Sequence, residues 1–192
     1  MLVIIIGLMT SCGMIRYDHN FCGKVVDMET NEPISGAVVI GDWENITPTV
    51  AGAVSSLNIL SEVVTNKDGT FCLKGRGLVF MVDEPQLEIF KSGYDNVAIT
   101  FYTLNNPYTL EKYYKDKVIW NNKEATIRLK KLSTEERIKN IGEYGRYISS
   151  GVESHVGGIH VNKETLEKRK LFDAEMRKER NFYDSYRQQQ QR

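Results

Sequence analysis

Residues 62–73, EVVTNKDGTFCL, contain the pattern that decides the fold class. Two short runs rich in β-branched and aromatic residues flank the turn at residues 66–69, where Asp68-Gly69 supplies the glycine that a tight reversal requires. The pattern predicts two strands joined as a hairpin. Similar runs recur on either side without helices between them, which predicts an antiparallel sandwich. The predicted strands cover residues 21–27, 36–43, 62–65, 70–73, 86–91, 97–104 and 124–130.

The connections between these strands differ in length. Pro33 lacks an amide proton, so it belongs in the turn after the first strand rather than in a central strand. Pro48, Gly52 and several small residues predict a long connection from residue 44 to about residue 60. Asn105-Asn106-Pro107 opens a segment that we expect to be another long, exposed connection, ending near Trp120.

Four stretches share a pattern with one known family: residues 23–27 (GKVVD), 32–39 (EPISGAVV), 65–71 (TNKDGTF) and 90–94 (FKSGY). Together they resemble the carboxypeptidase regulatory-like domain. The resemblance implies a mainly β fold, an antiparallel seven-stranded transthyretin-like (prealbumin-like) β-sandwich. It also implies an accessory or ligand-presenting module rather than a catalyst, although a fold does not determine a function.

A helical pattern follows the last predicted strand. Ser133-Thr134-Glu135-Glu136 has the spacing of a capping box, which predicts a helix from there to about Ile148. Asn162 can cap a second helix, rich in charged residues, that reaches about Tyr186. We therefore expect a C-terminal α-helical appendage.

The N-terminal residues have the features of an export signal. Residues 1–11 contain no charge and are too short to span a bilayer, but they match the apolar region of a secretory signal. Met9-Thr10-Ser11-Cys12 resembles the bacterial lipobox, whose cysteine receives a diacylglyceryl group. No Lys or Arg precedes Leu2, which departs from the usual signal. The alternative is an N-terminal β-strand with an incidental cysteine.

These patterns divide the chain into a signal peptide at 1–11, a tether at 12–20, the sandwich at 21–132 and a helical segment at 133–192. Acyl chains on Cys12 would hold the protein at a membrane. Gly13 after the lipidated cysteine favours the outer membrane by the sorting habit of such lipoproteins. We therefore expect a bacterial cell-envelope protein that faces the periplasm.

The other two cysteines, Cys22 and Cys72, would lie in an oxidising compartment in an exported protein. By strand alternation, each points away from its core neighbours. A cross-strand disulfide and two unpaired cysteines on different strands both remain open, because geometry decides the pairing.

Six aromatic residues are candidates for a ligand surface. Rings offer a large contact area at low entropic cost, so the set could bind a carbohydrate or a peptide. The alternative is that they are packing residues, as is common for Tyr and Trp on strands. The six are Trp43, Tyr102, Tyr108, Tyr113, Tyr114 and Trp120.

No catalytic, metal or cofactor motif is found. The 25 acidic and 25 basic residues balance, which argues against nucleic acid as a partner. His155 and His160 have no ligand at zinc-site spacing, and the chain contains neither a zinc-peptidase motif nor a Gly-x-Ser-x-Gly elbow. Asp83 and Glu84 are interpreted as solvated loop charges. We therefore expect no enzyme, no metal and no cofactor.

Three functional hypotheses follow. The first is a non-catalytic envelope lipoprotein that binds or scaffolds a polysaccharide or another envelope protein. The second is a small hydrolase on a transthyretin-like fold, although the C-terminal Tyr-Arg-Gly-Ser of such enzymes is replaced here by Tyr186-Arg187-Gln188-Gln189. The third is a subunit of an envelope complex that docks through its C-terminal helix. A hydrolase requires a pocket with converging titratable groups, whereas a scaffold requires an exposed apolar or aromatic patch.

Overall fold

Ten strands and four helical segments make up the described chain. The computed structural model describes residues 15–50, 52–121, 123–140 and 169–191, with the backbone alone described for residues 53–59. The strands are β1 (Ile15–Asp18), β2 (Phe21–Asp27), β3 (Val38–Thr49), β4 (Gly52–Val64), β5 (Thr70–Leu73), β6 (Gly77–Phe80), β7 (Gln86–Phe90), β8 (Val97–Thr100), β9 (Val118–Trp120) and β10 (Glu124–Leu129). The helices are α1 (Phe101–Leu104), α2 (Pro107–Tyr114), the helical residues 134–140 (α3) and α4 (Lys170–Gln190).

The strands form two four-stranded sheets and a two-stranded ribbon. Sheet 1 has the order β5-β2-β10-β9, sheet 2 has the order β4-β3-β7-β8, and the ribbon pairs β1 with β6. The β2–β10 pair is parallel, whereas the other pairs are antiparallel. Apolar side chains of both sheets join one buried cluster, so the arrangement is a β-sandwich. The cluster includes Phe21, Val25, Phe71, Ile127 and Leu129 of sheet 1, and Val39, Trp43, Leu87, Ile89 and Ile99 of sheet 2.

The mainly β class and the C-terminal helix are confirmed, but the predicted count of seven strands is not. Strand β1 lies within residues 12–20, which were predicted to be a tether, and it pairs with β6, which was not predicted at all. Helix α2 and strand β9 lie within the connection that was predicted to end near Trp120. Short strands next to turn residues have too little periodicity to be recognised before their partners are known.

The predicted connection at residues 44–60 is a long β-hairpin. Strands β3 and β4 pair from Val38–Val64 to Thr49–Gly52, with an irregularity at the Trp43–Glu44 step. Pro48 is tolerated because this far part of β3 pairs with β4 alone, so one side of the strand needs no amide donor. Backbone pairing, rather than apolar alternation, makes this segment a strand.

The turn at residues 66–69 joins the two sheets and does not form a hairpin. Strand β4 belongs to sheet 2 and β5 to sheet 1. Gly69 adopts a φ of +73°, and its carbonyl accepts a 2.8 Å hydrogen bond from the Val25 amide. The Thr65 hydroxyl donates to the Ile34 carbonyl at 2.7 Å and accepts from the Ala37 amide at 2.9 Å. These contacts turn the chain from one sheet to the other.

Helix α4 packs on the outer face of sheet 2. Phe172 and Met176 are buried there in a second apolar cluster with Val38, Ile40, Leu60 and Phe90. The Glu62 carboxylate accepts hydrogen bonds from the amides of Leu171 and Phe172, at 3.0 and 2.9 Å, at the start of the helix. Such a carboxylate accepts hydrogen bonds from amides that have no partner within the helix. Its negative charge is stabilised by the positive end of the helix dipole. The predicted Asn162 cap lies outside the described residues.

A buried carboxylate fastens the helical segment to the sandwich. Glu179, only 7% exposed, accepts bonds from the Ser92 hydroxyl at 2.7 Å and the Gly93 amide at 3.0 Å. Arg137 of α3 donates two further bonds to it, both 2.8 Å long. The predicted capping box is present, since Ser133 and Glu136 exchange hydrogen bonds at 2.9 and 3.2 Å. We call the contacts of Glu179 the Glu179 clamp, and they make α4 part of the domain.

Candidate binding groove

Cys22 and Cys72 lie opposite each other in β2 and β5. They are register partners with Cα atoms 4.0 Å apart, and a disulfide joins them. This bond links residues 50 positions apart in sequence. Cys12, the predicted lipidation site, lies outside the described residues.

The six predicted aromatic residues do not form one surface. Trp43 is 2% exposed and belongs to the core, so its assignment to a ligand surface is wrong. Its indole nitrogen donates to a carboxylate oxygen of Asp18, itself buried, at 2.9 Å. The side chain points inward because β3 alternates, and Val39 and Trp43 share its core face.

Trp120 and Tyr114 are also packing residues. Trp120 is partly buried against the core, with its ring 6.3 Å from that of Phe21. Tyr114 is partly buried as well, and its hydroxyl donates to the Ala98 carbonyl at 2.7 Å. The packing interpretation therefore holds for Trp43, Tyr114 and Trp120.

Three tyrosines are exposed on the neighbouring helices α1 and α2. Tyr102, Tyr108 and Tyr113, all among the predicted candidates, are each more than half exposed. The Lys112 ammonium lies 4.9 Å from the centre of the Tyr113 ring and 5.8 Å from that of Tyr108. Asn106 begins α2 by accepting a bond from the Thr109 amide, with Pro107 in the first turn. This cap and proline explain why a helix forms where a loop was expected.

A surface groove of about 780 Å³ lies beside Tyr102. Its lining residues come from β1, β3, β7, β8, α1 and the loop before β7. They are Arg16, Asp42, Glu44, Ile46, Val82, Asp83, Glu84, Gln86, Thr100 and Tyr102. We call this site the acidic groove. Sequence reasoning missed it because only the fold brings these six elements together.

The loop at residues 81–84 is held in place along one wall of the groove. The Met81 carbonyl accepts from the Ile46 amide at 2.8 Å, and the Asp83 amide donates to the Glu44 carbonyl at 2.7 Å. Arg16 donates to the carbonyls of Val82, at 2.7 Å, and Asp83. These bonds fix the loop as an extension of the sheet surface.

Glu84 connects this loop to helix α1. Its carboxylate accepts from the Tyr102 amide at 2.6 Å, at the start of α1. The Asp83 carboxylate accepts from the Glu84 amide at 2.8 Å. Both residues line the groove. Asp83 is an exposed loop charge, as interpreted from the sequence, whereas Glu84 is half-buried and bonded to α1.

The groove is negatively charged. Among the described residues that line it, Asp42, Glu44, Asp83 and Glu84 contribute four carboxyl groups, and Arg16 is the one cation. The Arg16 guanidinium is also paired with Asp18, at 2.6 Å between Nε and Oδ1. Such a surface offers hydrogen-bond acceptors and repels anions.

Asp42 has an unusual electrostatic environment. Burial raises its pKa from 3.8 to about 7, with Glu88 and Glu44 adding to the rise and Arg169 opposing it. Burial also raises the pKa of Glu88, against Arg169 and a hydrogen bond from Asn96. The Asp42 Oδ1 atom is buried and has no hydrogen-bond partner among the described residues. Near neutral pH, Asp42 is therefore partly protonated and can act as a donor or an acceptor.

The described residues contain no group of three His, Cys, Asp or Glu side chains arranged to hold a metal ion. His155 and His160 lie outside those residues. None of the described helices combines the length and apolar character needed to cross a bilayer.

Comparisons with known proteins identify no family for this chain. No protein-family model matches the sequence, and no curated protein matches it. Among solved structures, the chain is similar to a streptococcal ancillary pilin, with 14% sequence identity and a TM-score of 0.31. The similarity covers 60% of this chain and 30% of the pilin chain. A TM-score this low supports no argument about fold or function.

Proposed function

We propose that the chain is a lipid-anchored bacterial envelope protein that binds a polysaccharide in the acidic groove without catalysing a reaction. Its anchor is the acylated Cys12, and it faces the periplasm from the outer membrane. The apolar residues 1–11, followed by two small residues and a cysteine, support the anchor. The Cys22–Cys72 disulfide is in keeping with an oxidising compartment.

We also propose that the sandwich is a carboxypeptidase regulatory-like, transthyretin-like domain with added strands. Two of the stretches that resemble this family contain Gly36 and Gly69, both with φ near +73°. A Cβ at Gly69 would lie 2.5 Å from the Val25 carbonyl oxygen, so glycine is required there. The β1–β6 ribbon and the long β3–β4 hairpin would be the elaborations of this chain.

The observation that supports a polysaccharide ligand is the position of Tyr102. It lines the acidic groove, and the exposed Tyr108 and Tyr113 lie on the next helix. Tyrosine rings can pack against the flat apolar faces of sugar rings, while carboxylates accept bonds from sugar hydroxyls. Four carboxyl groups disfavour an anionic polymer. The ligand is therefore a neutral or amino-sugar polysaccharide.

Isothermal titration calorimetry tests this proposal with three probes: dextran, chitosan oligosaccharides and alginate. We expect binding of the neutral or cationic probe and none of the anionic alginate. Tyr102→Ala should weaken that binding by about tenfold. Tyr17→Ala is the matched control, because Tyr17 is as exposed as Tyr102 but does not line the groove. Binding of alginate alone, or equal affinity of all variants, would contradict the proposal.

One observation favours a second candidate, a hydrolase. Asp42, with its pKa raised to about 7, lines the groove two residues from Glu44 on the same strand face. A partly protonated carboxylic acid near a second carboxylate is the arrangement that glycoside hydrolysis uses. Release of reducing ends from the probes, abolished by Asp42→Asn, would establish this candidate. Binding without release, kept by Asp42→Asn, supports the non-catalytic module.

A further inference from the structure

The ribbon of β1 and β6 has an exposed face made of large aliphatic and aromatic side chains. Ile15 lies opposite Phe80, and Tyr17 lies opposite Leu78, so the four side chains share one face. Their exposed fractions are 50% for Ile15, 61% for Tyr17, 74% for Leu78 and 56% for Phe80. We call these four residues the ribbon face.

The opposite face of the ribbon has the reverse character. There Arg16 lies opposite Val79, and Val79 and Asp18 are both buried. In a sheet with one solvent-exposed face, polar side chains normally face the solvent and apolar side chains face the core. Here the charged pair Arg16–Asp18 faces the protein and four large apolar residues face outward. An outward apolar patch of this kind marks an interaction surface.

We propose that the ribbon face rests on the phospholipid surface beside the lipid anchor, an inference that depends on the proposed acylation of Cys12. Ile15 follows Cys12 by three residues. Three extended residues span at most about 10 Å, so an acylated Cys12 holds Ile15 within that distance of the headgroup region. The ribbon face is thus the apolar surface that the anchor brings to the bilayer.

The chemistry of the ribbon face matches the membrane interface. Tyrosine is favoured at the boundary between headgroups and acyl chains, because its ring is apolar and its hydroxyl stays hydrated. Leu78 and Phe80 provide apolar area for shallow insertion. Lys74, exposed in the loop before β6, offers a cation to headgroup phosphates. Arg16 lines the acidic groove from the opposite face of the ribbon, so the groove does not share the surface assigned to lipid.

Fluorescence quenching by brominated acyl chains tests this inference in the full, lipidated protein. The protein is reconstituted into phosphatidylethanolamine–phosphatidylglycerol vesicles, with a reporter introduced by Leu78→Trp. The matched control is Tyr113→Trp, an exposed site on α2. We expect brominated lipid to reduce the emission added by L78W and to leave that added by Y113W unchanged.

Mass spectrometry of the same samples distinguishes a failure of the proposed anchor from a failure of the ribbon-face proposal. A chain without a diacylglyceryl group would refute the proposed anchor, and with it the premise of the inference. A lipidated chain whose L78W emission is unaffected by brominated lipid would refute the ribbon-face proposal alone. Sedimentation tests the alternative that a second copy of the chain covers the ribbon face. Dimerisation in solution that Leu78→Asp abolishes, with no quenching in vesicles, would make this face an interface between copies.

Discussion

At the scale of single residues, Asp42 has a folded-state pKa well above its ordinary value. Burial is the main cause, and the rise from 3.8 to about 7 means that the ionised form is disfavoured in the folded protein. The contribution of Asp42 to the free energy of unfolding is therefore greatest below about pH 4 and decreases as the pH rises toward 7. Asp42→Asn removes this loss, so we expect it to stabilise the protein at pH 8, by on the order of 2 kcal/mol after allowance for partial exposure.

Urea denaturation of both proteins at pH 4, 6 and 8 measures this effect. The difference in unfolding free energy should be near zero at pH 4 and largest at pH 8. Asp68→Asn, in the exposed turn before β5, controls for the loss of one negative charge. A difference between Asp42→Asn and the parent that does not change with pH would contradict the burial of this carboxyl.

Gly69 shows a second effect at this scale. Its φ of +73° is unfavourable for other L-residues, and a Cβ would approach the Val25 carbonyl oxygen to 2.5 Å. Gly69→Ala should therefore destabilise the protein by about 2 kcal/mol or more, measured as a lower thermal midpoint. Gly52→Ala is the control, since Gly52 also has a positive φ but no described atom lies within 4 Å of its added Cβ. Equal decreases in the thermal midpoint of the two variants would show that the positive φ alone destabilises the protein. The close approach to the Val25 carbonyl would then contribute nothing.

At the scale of elements, the Glu179 clamp joins α3, α4 and the turn after β7. Burial alone would raise the pKa of Glu179, but bonds from Arg137, Ser92 and Gly93 hold it below its ordinary value. The ionised carboxylate therefore stabilises the fold above about pH 4.5, and this contribution is lost as the pH falls through the lowered pKa. Glu179→Gln leaves Arg137 without its charged partner and should cost about 3 kcal/mol at pH 7.

Thermal unfolding at pH 7 and pH 3 measures the clamp. The decrease in the thermal midpoint caused by Glu179→Gln should be largest at pH 7 and smaller at pH 3. Glu111→Gln is the matched control, because Glu111 forms an exposed ion pair with Lys115 at 3.2 Å on α2, and such pairs contribute little. Equal effects of both substitutions would mean that α4 is not fastened in this way.

Truncation after Val161 tests the same attachment more broadly. It removes Phe172 and Met176 from their cluster with Val38, Ile40 and Phe90 on sheet 2. We expect a lower thermal midpoint, because these apolar side chains would become exposed to water. An unchanged midpoint would leave the helix free to dock on a partner, as in the hypothesis of a complex subunit.

At the scale of the whole molecule, the sequence predicts what depends on local pattern and misses what depends on strand partners. Alternation and turn residues were sufficient for the β class, and the capping box at Ser133 predicted a helix start that the structure shows. The turn at residues 66–69 was predicted, but its two strands belong to different sheets: Thr65 bonds to Ile34 before β3 of sheet 2, and Gly69 bonds to Val25 of β2 in sheet 1. No local signal specifies which strands will pair.

The acidic groove could not be predicted for the same reason. Its carboxyl groups come from β3 and the loop before β7, about forty residues apart in sequence, and Tyr102 comes from a third element. Tyr108 and Tyr113 are exposed, as a ligand surface would require, whereas one face of β3 turns Trp43 into the core. Composition offers no way to separate exposed rings from packed ones.

Mass spectrometry of the N-terminus of the protein isolated from its native membrane tests the lipid anchor most directly. A mature chain that begins at Cys12 and has a diacylglyceryl group on its thiol, with a further acyl chain on its amine, is the predicted result. An intact chain that begins at Met1 with a free Cys12 thiol would contradict the proposed anchor and location.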